Sequence, residues 1–68
     1  MTFKTWIKEF RGHDSAIGDL ADDINRDKEF PSSKKFEKIA EYLISKRACS
    51  GAIDAFTKAF MQYFLEEN

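Results

Sequence analysis

The stretch that decides the fold of this chain is Ser50–Leu65, with the sequence SGAIDAFTKAFMQYFL. Its large apolar side chains recur at spacings of three and four, which is the period of one face of an α-helix. These side chains are Ile53, Phe56, Phe60, Tyr63 and Phe64. The alanines among them leave room for other elements to approach, namely Ala52, Ala55 and Ala59. Since no other segment carries as much aromatic surface, we expect the rest of the chain to pack against this helix.

The length of 68 residues predicts one domain, residues 1–68. A chain this short buries only about 60% of its unfolded surface, so small domains commonly depend on disulfides or metals. Neither is expected here, because Cys49 is the only cysteine and His13 the only histidine. Seven Phe, two Tyr and one Trp can supply the missing stability, since each aromatic side chain buries about 150–250 Å².

Three features bear on the location of the protein. A lone cysteine cannot form an intrachain disulfide, which favours a reducing compartment. No apolar run approaches the roughly 20 residues that span a bilayer. The first residues, MTFKTW, contain neither the apolar core nor the cleavage site of a signal peptide. The sequence therefore predicts a soluble, cytoplasmic protein without a membrane partner.

The net charge of −1 conceals two segments of opposite sign. Residues 14–29 carry six acidic and two basic side chains, a balance of −4, and residues 30–50 carry five basic and two acidic ones, a balance of +3. The simpler interpretation is two solvated helix faces. The functional interpretation is a steering patch for an oppositely charged partner, including head-to-tail contact.

Two helices are predicted before the central proline. Thr2 caps the first and Gly12 ends it in a left-handed conformation. Asp14 or Ser15 caps the second, in which we expect Gly18 to make a tight backbone contact with another helix. The apolar stripes at helical spacing are Phe3, Trp6, Ile7 and Phe10 in the first helix and Ile17, Leu20, Ala21 and Ile24 in the second. The outer face of the second helix carries Asp19, Asp22, Asp23 and Arg26.

Pro31 separates the second helix from a third, which Ser32 or Ser33 is expected to cap. Phe30 is expected to be buried and to fold back on Phe36 or its neighbours. The predicted inward residues are Phe36, Ile39, Ala40 and Leu43, with Ile44 as a further candidate, and the outward residues are Lys34, Lys35, Lys38 and Glu41. A basic connector, residues 45–51, follows, in which Ser50 caps the last helix. Residues 66–68 are expected to fray into solvent.

No alternating β pattern and no hairpin turn signal occurs in the sequence. The predicted fold class is all-α, a compact single-domain bundle of four short helices with connections of about three to seven residues. The predicted structural core is Phe3, Trp6, Phe10, Leu20, Ile24, Phe30, Phe36, Ile39, Leu43, Ile53, Phe56, Phe60 and Tyr63.

Three local patterns together resemble the small bacterial YozE-like family. The first is Phe3-x-x-Trp6-Ile7 followed by Arg11, the second is Asp27-x-x-Phe30-Pro31 followed by Ile39 and Tyr42-Leu43, and the third is Phe56-x-x-Ala59-Phe60-x-x-Tyr63. The resemblance covers nearly the whole chain. It implies a compact four-helix domain that is sterile-alpha-motif-like and has no known biochemical function. It supplies no catalytic residues.

Candidates for chemistry are few. His13 and Cys49 could form a base and nucleophile only if they lay within hydrogen-bond reach of each other, and we interpret them as a loop histidine and a small, partly buried thiol. The acidic group Asp19, Asp22, Asp23 and Asp27 lacks the spacing of an EF-hand loop, and soft metal ligands are too few for zinc. No phosphate-binding glycine loop occurs. We therefore predict no catalytic residue, no cofactor, no metal and no enzymatic activity.

A basic set in the third helix and the connector after it is the candidate nucleic-acid contact: Lys34, Lys35, Lys38, Lys46 and Arg47. Five cations could neutralise several phosphates. The overall pI of about 5.7 and the neighbouring acidic helix act against this interpretation. Nucleic-acid binding is therefore the alternative hypothesis.

The aromatic stripe of the last helix is most simply explained as core. However, Phe60, Tyr63 and Phe64 span a broad arc, with Met61 and Leu65 beside it. A domain of this size need not cover all of them, and an exposed remainder would mark a contact surface. The leading hypothesis is therefore a helical module that mediates protein–protein interaction, with a partner of unknown identity or a second copy of itself.

Overall fold

Helices and short connections make up the chain in the computed structural model, which describes residues 1–67. The elements in order are α1 (Phe3–Ile7), a 3-10 turn (Lys8–Phe10), α2 (Ala16–Arg26), α3 (Phe36–Ser45) and α4 (Ser50–Glu67). No strand occurs within residues 1–67. The predicted all-α class with four helices is confirmed.

Helix α4 is the element against which the others pack. It buries Ala55, Phe56, Ala59, Phe60 and Tyr63. Phe3 of α1 is fully buried against this face, with its ring centroid 5.4 Å from that of Phe60, 5.5 Å from that of Phe56 and 5.6 Å from that of Tyr63. Burial of each such side chain stabilises the fold by about 1.5–3 kcal/mol. The cluster of rings therefore holds the two ends of the chain together.

Helix α1 has only five residues and depends on this packing, because isolated helices of that length are unstable. Thr2 accepts a hydrogen bond from the backbone N–H of Thr5, which confirms the predicted cap. The chain then tightens into the 3-10 turn and leaves it at Gly12, whose φ of +80° confirms the left-handed termination.

Helix α2 begins after Ser15, whose hydroxyl accepts a hydrogen bond from the N–H of Gly18. Leu20, Ala21 and Ile24 are buried along its inner face, as the periodicity predicts. The tight contact at Gly18 has a different origin from the one expected. A Cβ atom there would lie 1.9 Å from the carbonyl oxygen of His13. The close neighbour is thus the preceding connector and not another helix.

Helix α3 starts later than predicted. Neither Ser32 nor Ser33 caps it; Lys35 occupies the N-cap position without a side-chain cap bond, and Ser33 Oγ accepts from the N–H of Lys35 instead. Lys34 and Lys35 therefore precede the helix. Phe30 is buried, as expected, and its ring lies against that of Tyr42 with centroids 5.5 Å apart.

Most of the predicted core side chains are buried, and three are not. Phe10 and Ile53 are half-buried and pack against the core from its edge. Phe36 is 41% exposed, because its ring lies over the core aromatics and not among them. Ile44, the further candidate for an inward position, is 67% exposed.

The ends of α4 also differ from expectation. Ser50 is the first helical residue and not the cap before it. Glu66 and Glu67 do not fray: Glu66 accepts a hydrogen bond from Trp6, and Glu67 lies 2.7 Å from the amino group of Met1. The expectation for Asn68 lies outside the described residues.

Candidate interaction surface

Five large apolar side chains are exposed on the α3–α4 pair. They are Phe36 (41%), Ile44 (67%), Met61 (63%), Phe64 (58%) and Leu65 (70%). The three on α4 are neighbours on its surface, since positions three and four apart share a face. The two on α3 are eight residues apart, which places Ile44 about 12 Å along the helix axis from Phe36 and about 80° around it. We refer to these five residues as the α3–α4 apolar face.

Ring packing brings the two halves of this face together. The ring of Phe36 stacks on Phe56, with centroids 5.0 Å apart and planes 20° from parallel, and meets the ring of Phe60 edge-on at 5.3 Å. Phe60 lies one helical turn before Phe64, so Phe36 and Phe64 flank the same core ring. Phe36 is therefore held in place by two buried neighbours on α4.

Charged side chains of both signs surround the α3–α4 apolar face. Lys34 and Glu67 line a cleft together with Tyr63 and Phe64. Lys35 and Glu37 line another beside Phe36. A polar rim around an apolar centre is the usual arrangement of a protein-binding patch.

The predicted basic set does not form one patch. Lys34 and Lys35 precede α3, and Lys38 lies in its first turn. Lys46 and Arg47 follow the same helix, which places Lys46 about 12 Å from Lys38 along its axis at 1.5 Å per residue. The structure thus divides the five cations into two groups at opposite ends of α3.

The positive charge of the second group, Lys46 and Arg47, is partly neutralised. Lys46 Nζ lies 3.7 Å from a carboxylate oxygen of Glu29 and 5.6 Å from the centroid of the Tyr42 ring. Arg47 adopts a left-handed conformation with φ of 58°, and the N–H of Ala48 returns to the carbonyl of Leu43, which closes the end of α3. The backbone of Arg47 therefore forms part of the turn that ends α3.

His13 and Cys49 are both exposed and lie on different elements. His13 lies in the connector before α2, and its ring meets that of Phe10 edge-on with centroids 5.5 Å apart. Cys49 precedes α4 and lines a cleft with Leu20 and Ala52. Its exposure differs from the expected partial burial. Within residues 1–67 neither side chain hydrogen-bonds to the other, and no group of three or more His, Cys, Asp or Glu is placed to hold a metal ion.

One charged hydrogen bond joins α3 to the end of α2. The hydroxyl of Tyr42 donates to the carboxylate of Asp27, which also accepts from the N–H of Glu29. The bond from Tyr42 lowers the pKa of Asp27 below its usual value of 3.8, and the same carboxylate raises the pKa of Tyr42 to about 12. Asp27 is therefore ionised and fixed in position at neutral pH.

Sequence reasoning did not identify a groove between α2 and the first half of α4. Two adjoining clefts there share Leu20, Asp23, Cys49 and Ala52. The available signal was the spacing of four between Asp19, Asp23 and Asp27, which aligns them on one edge of α2, together with the small residues at the start of α4.

None of the described helices combines the length and the apolar character that crossing a bilayer requires. A family model described as YozE SAM-like fold matches residues 2–64 of the chain. No curated protein and no solved structure matches it significantly.

Proposed function

This chain belongs to the family with the YozE SAM-like fold, and we propose that it is a cytoplasmic, non-enzymatic module that binds another protein through the α3–α4 apolar face. The partner is a second protein or a second copy of this chain. The observation that carries the proposal is the exposure of neighbouring large apolar side chains on one side of the helix pair.

Single exposed apolar residues are common on soluble proteins and need no explanation. The α3–α4 apolar face differs because its three members on α4 adjoin one another. Met61 and Leu65 are more than 60% exposed, and Phe64 beside them is 58% exposed. Their burial against a partner would supply the hydrophobic centre of an interface.

Preorganisation favours the same surface. Phe36 is stacked on Phe56, so its exposed edge loses little side-chain freedom on binding. Lys34 and Glu67 at the margin supply cationic and anionic groups for polar contacts.

The test combines affinity capture from cells of the source organism with sedimentation velocity of the purified chain over a wide concentration range. Met61→Ser together with Phe64→Ser should remove the captured partner or the self-association, while circular dichroism remains helical. Lys28→Ser, on an exposed position outside α3 and α4, is the matched control. A wild-type chain that stays monomeric and captures nothing, or a partner retained equally by the double variant, would overturn the proposal.

Nucleic-acid binding is the second candidate, favoured by one observation. Lys34, Lys35 and Lys38 are exposed around the start of α3, and none of them forms an ion pair within the part of the chain that the structure describes. Fluorescence anisotropy with single- and double-stranded oligonucleotides should then show binding that weakens steeply with salt. Lys34→Glu with Lys38→Glu should abolish it, whereas Lys58→Glu on α4 should not. Flat anisotropy at low salt would exclude this candidate.

A further inference from the structure

The groove between α2 and the first half of α4 is a second surface, separate from the α3–α4 apolar face. It consists of two clefts of about 250 Å³ each. Leu20, Asp23, Cys49 and Ala52 line both clefts, so the two form one continuous depression along α2. We refer to it as the α2–α4 groove.

The floor of the α2–α4 groove is apolar. Leu20, Ile24, Phe30 and Leu43 are at most 8% exposed, and their outer atoms form the bottom of the depression. The wall on the α4 side consists of small residues, including Gly51, Ala52 and Ala55. Because these side chains do not project far, the backbone of another segment can approach the floor closely.

The opposite wall carries negative charge at regular intervals. Asp19, Asp23 and Asp27 line the groove and follow one another at spacings of four. Asp19 and Asp23 are therefore about 6 Å apart along α2 at 1.5 Å per residue, and Asp27 follows the last helical residue. Asp23 pairs with Arg26 at 3.0 Å. Asp27 accepts hydrogen bonds from the hydroxyl of Tyr42 and the N–H of Glu29, whereas Asp19 forms no ion pair within residues 1–67. The wall keeps an excess of negative charge.

We propose that the α2–α4 groove binds a basic amphipathic helix of another protein. Such a helix presents Lys or Arg at every fourth position, which reproduces the 6 Å spacing of the carboxylates. Its adjoining stripe of Leu, Met or Phe fills the apolar floor, in the manner of a helix lying in a groove. A neutral or acidic helix would leave the carboxylates desolvated without partners, which is unfavourable.

A second copy of this chain fits the groove less well. Its cations Lys34, Lys35 and Lys38 straddle the start of α3, and two of them lie outside the helix. Lys34 and Lys38 are four apart, but Lys34 lies before the helix. Lys4 and Lys8 are also four apart, but the apolar side chains of α1 are buried in the core and cannot fill the floor of the groove. The groove proposal concerns different residues from the α3–α4 apolar face, so either can fail without the other.

The test uses the whole chain and a fluorescein-labelled synthetic helical peptide with arginine at every fourth position and leucine on the adjoining stripe. Fluorescence anisotropy measures its dissociation constant. Asp19→Asn with Asp23→Asn should weaken binding about fivefold, because the arginines of the peptide lose two carboxylate partners. Ala52→Leu, which extends a larger side chain from the α4 wall over the floor without changing charge, should also weaken binding. Asp54→Asn removes a carboxylate on the far side of α4 and should leave binding unchanged.

Two comparisons make the result decisive. A peptide with glutamate in place of arginine should not bind, and Met61→Ser with Phe64→Ser should bind the arginine peptide like the wild type. Absence of binding to the wild-type chain, or equal loss in Asp54→Asn, would overturn the groove proposal. Loss of binding only in the Met61 and Phe64 double variant would also overturn it, because the peptide would then occupy the α3–α4 apolar face.

Discussion

The indole Nε1–H of Trp6 donates a hydrogen bond to the carboxylate of Glu66 over 3.1 Å and so joins α1 to the last turn of α4. Trp6 is 3% exposed, and its ring also lies 5.6 Å from that of Tyr63. A buried indole N–H without an acceptor would destabilise the fold. The C-terminal end of α1 is thus fixed by a hydrogen bond as well as by ring packing.

Replacement of Glu66 tests this contact. Glu66→Ala should lower the free energy of unfolding by about 0.5–1.5 kcal/mol, because the indole loses its acceptor. The fluorescence of Trp6, the only tryptophan in the sequence, should change in the folded state. Glu66→Gln retains an acceptor oxygen and should recover most of the loss in urea denaturation. Equal stability of the Ala and Gln variants would show that the hydrogen bond does not contribute.

Gly18 and Gly51 form a matched pair of helical glycines. Gly18→Ala should destabilise the chain by about 1–3 kcal/mol, because the new Cβ would lie 1.9 Å from the backbone oxygen of His13. Gly51→Ala meets only Cys49 Sγ, at 3.9 Å, and should be neutral or stabilise by up to about 1 kcal/mol through helix propensity. Thermal and urea denaturation measure both. A stabilising Gly18→Ala substitution would contradict the described path of residues 13–15.

Substitutions at two isoleucines of α3 test which face of this helix is buried. Ile39 is 0% exposed and Ile44 is 67% exposed. Ile39→Ala should lower the free energy of unfolding by about 2–5 kcal/mol. If that variant does not fold, Ile39→Val should lower it by about 0.5–1.5 kcal/mol. Ile44→Ala should change the stability by no more than about 0.5 kcal/mol. Equal losses in the free energy of unfolding at the two positions would mean that α3 is rotated relative to the described structure.

The bond between Tyr42 and Asp27 should make stability depend on pH. The pKa of Asp27 is lower in the folded state than its usual value of 3.8. The stability that Asp27 contributes is therefore present above about pH 3.8 and is lost as the pH falls through its folded-state pKa. The pKa of Tyr42 is raised to about 12, so its contribution is present below pH 10 and is lost as the pH rises towards 12.

Tyr42→Phe should therefore be less stable than the wild type at pH 7, and the difference should shrink as the pH falls below about 3.8. Tyr63→Phe is the control, since the hydroxyl of Tyr63 donates to the carbonyl oxygen of Met1, which does not titrate. Its difference from the wild type should stay nearly constant over the same acid range. A stability difference between Tyr42→Phe and the wild type that does not depend on pH would contradict the hydrogen bond between Tyr42 and Asp27.

The parts of the fold that follow from local spacing could be predicted from the sequence. The period of three and four in residues 53–63 identified Phe56 and Phe60 as core, and the capping roles of Thr2 and Gly12 were evident from residue type. Contacts between distant residues could not be predicted in this way. The acceptor for Trp6 lies 60 positions along the chain, and no periodicity reports such a separation.

The candidate surfaces illustrate the same limit. Helical spacing groups Phe36 with Ile39 and Leu43, but which members are covered depends on where the other helices pack. Lys34 and Lys35 were assigned to α3 because two serines precede them, and serine is a favoured cap; the helix instead begins after Lys35. The α2–α4 groove arises only when α2 and α4 are brought together, so neither segment indicates it alone.

Site-specific photo-crosslinking in living cells tests the central claim most directly. A benzophenone amino acid in place of Phe64 should give a discrete adduct with a protein partner or a second copy of the chain, because the α3–α4 apolar face would then be covered. The same amino acid in place of Lys28 is the control and should give none. No adduct from position 64, or adducts of equal yield from both positions, would contradict the proposal that this face binds a specific partner.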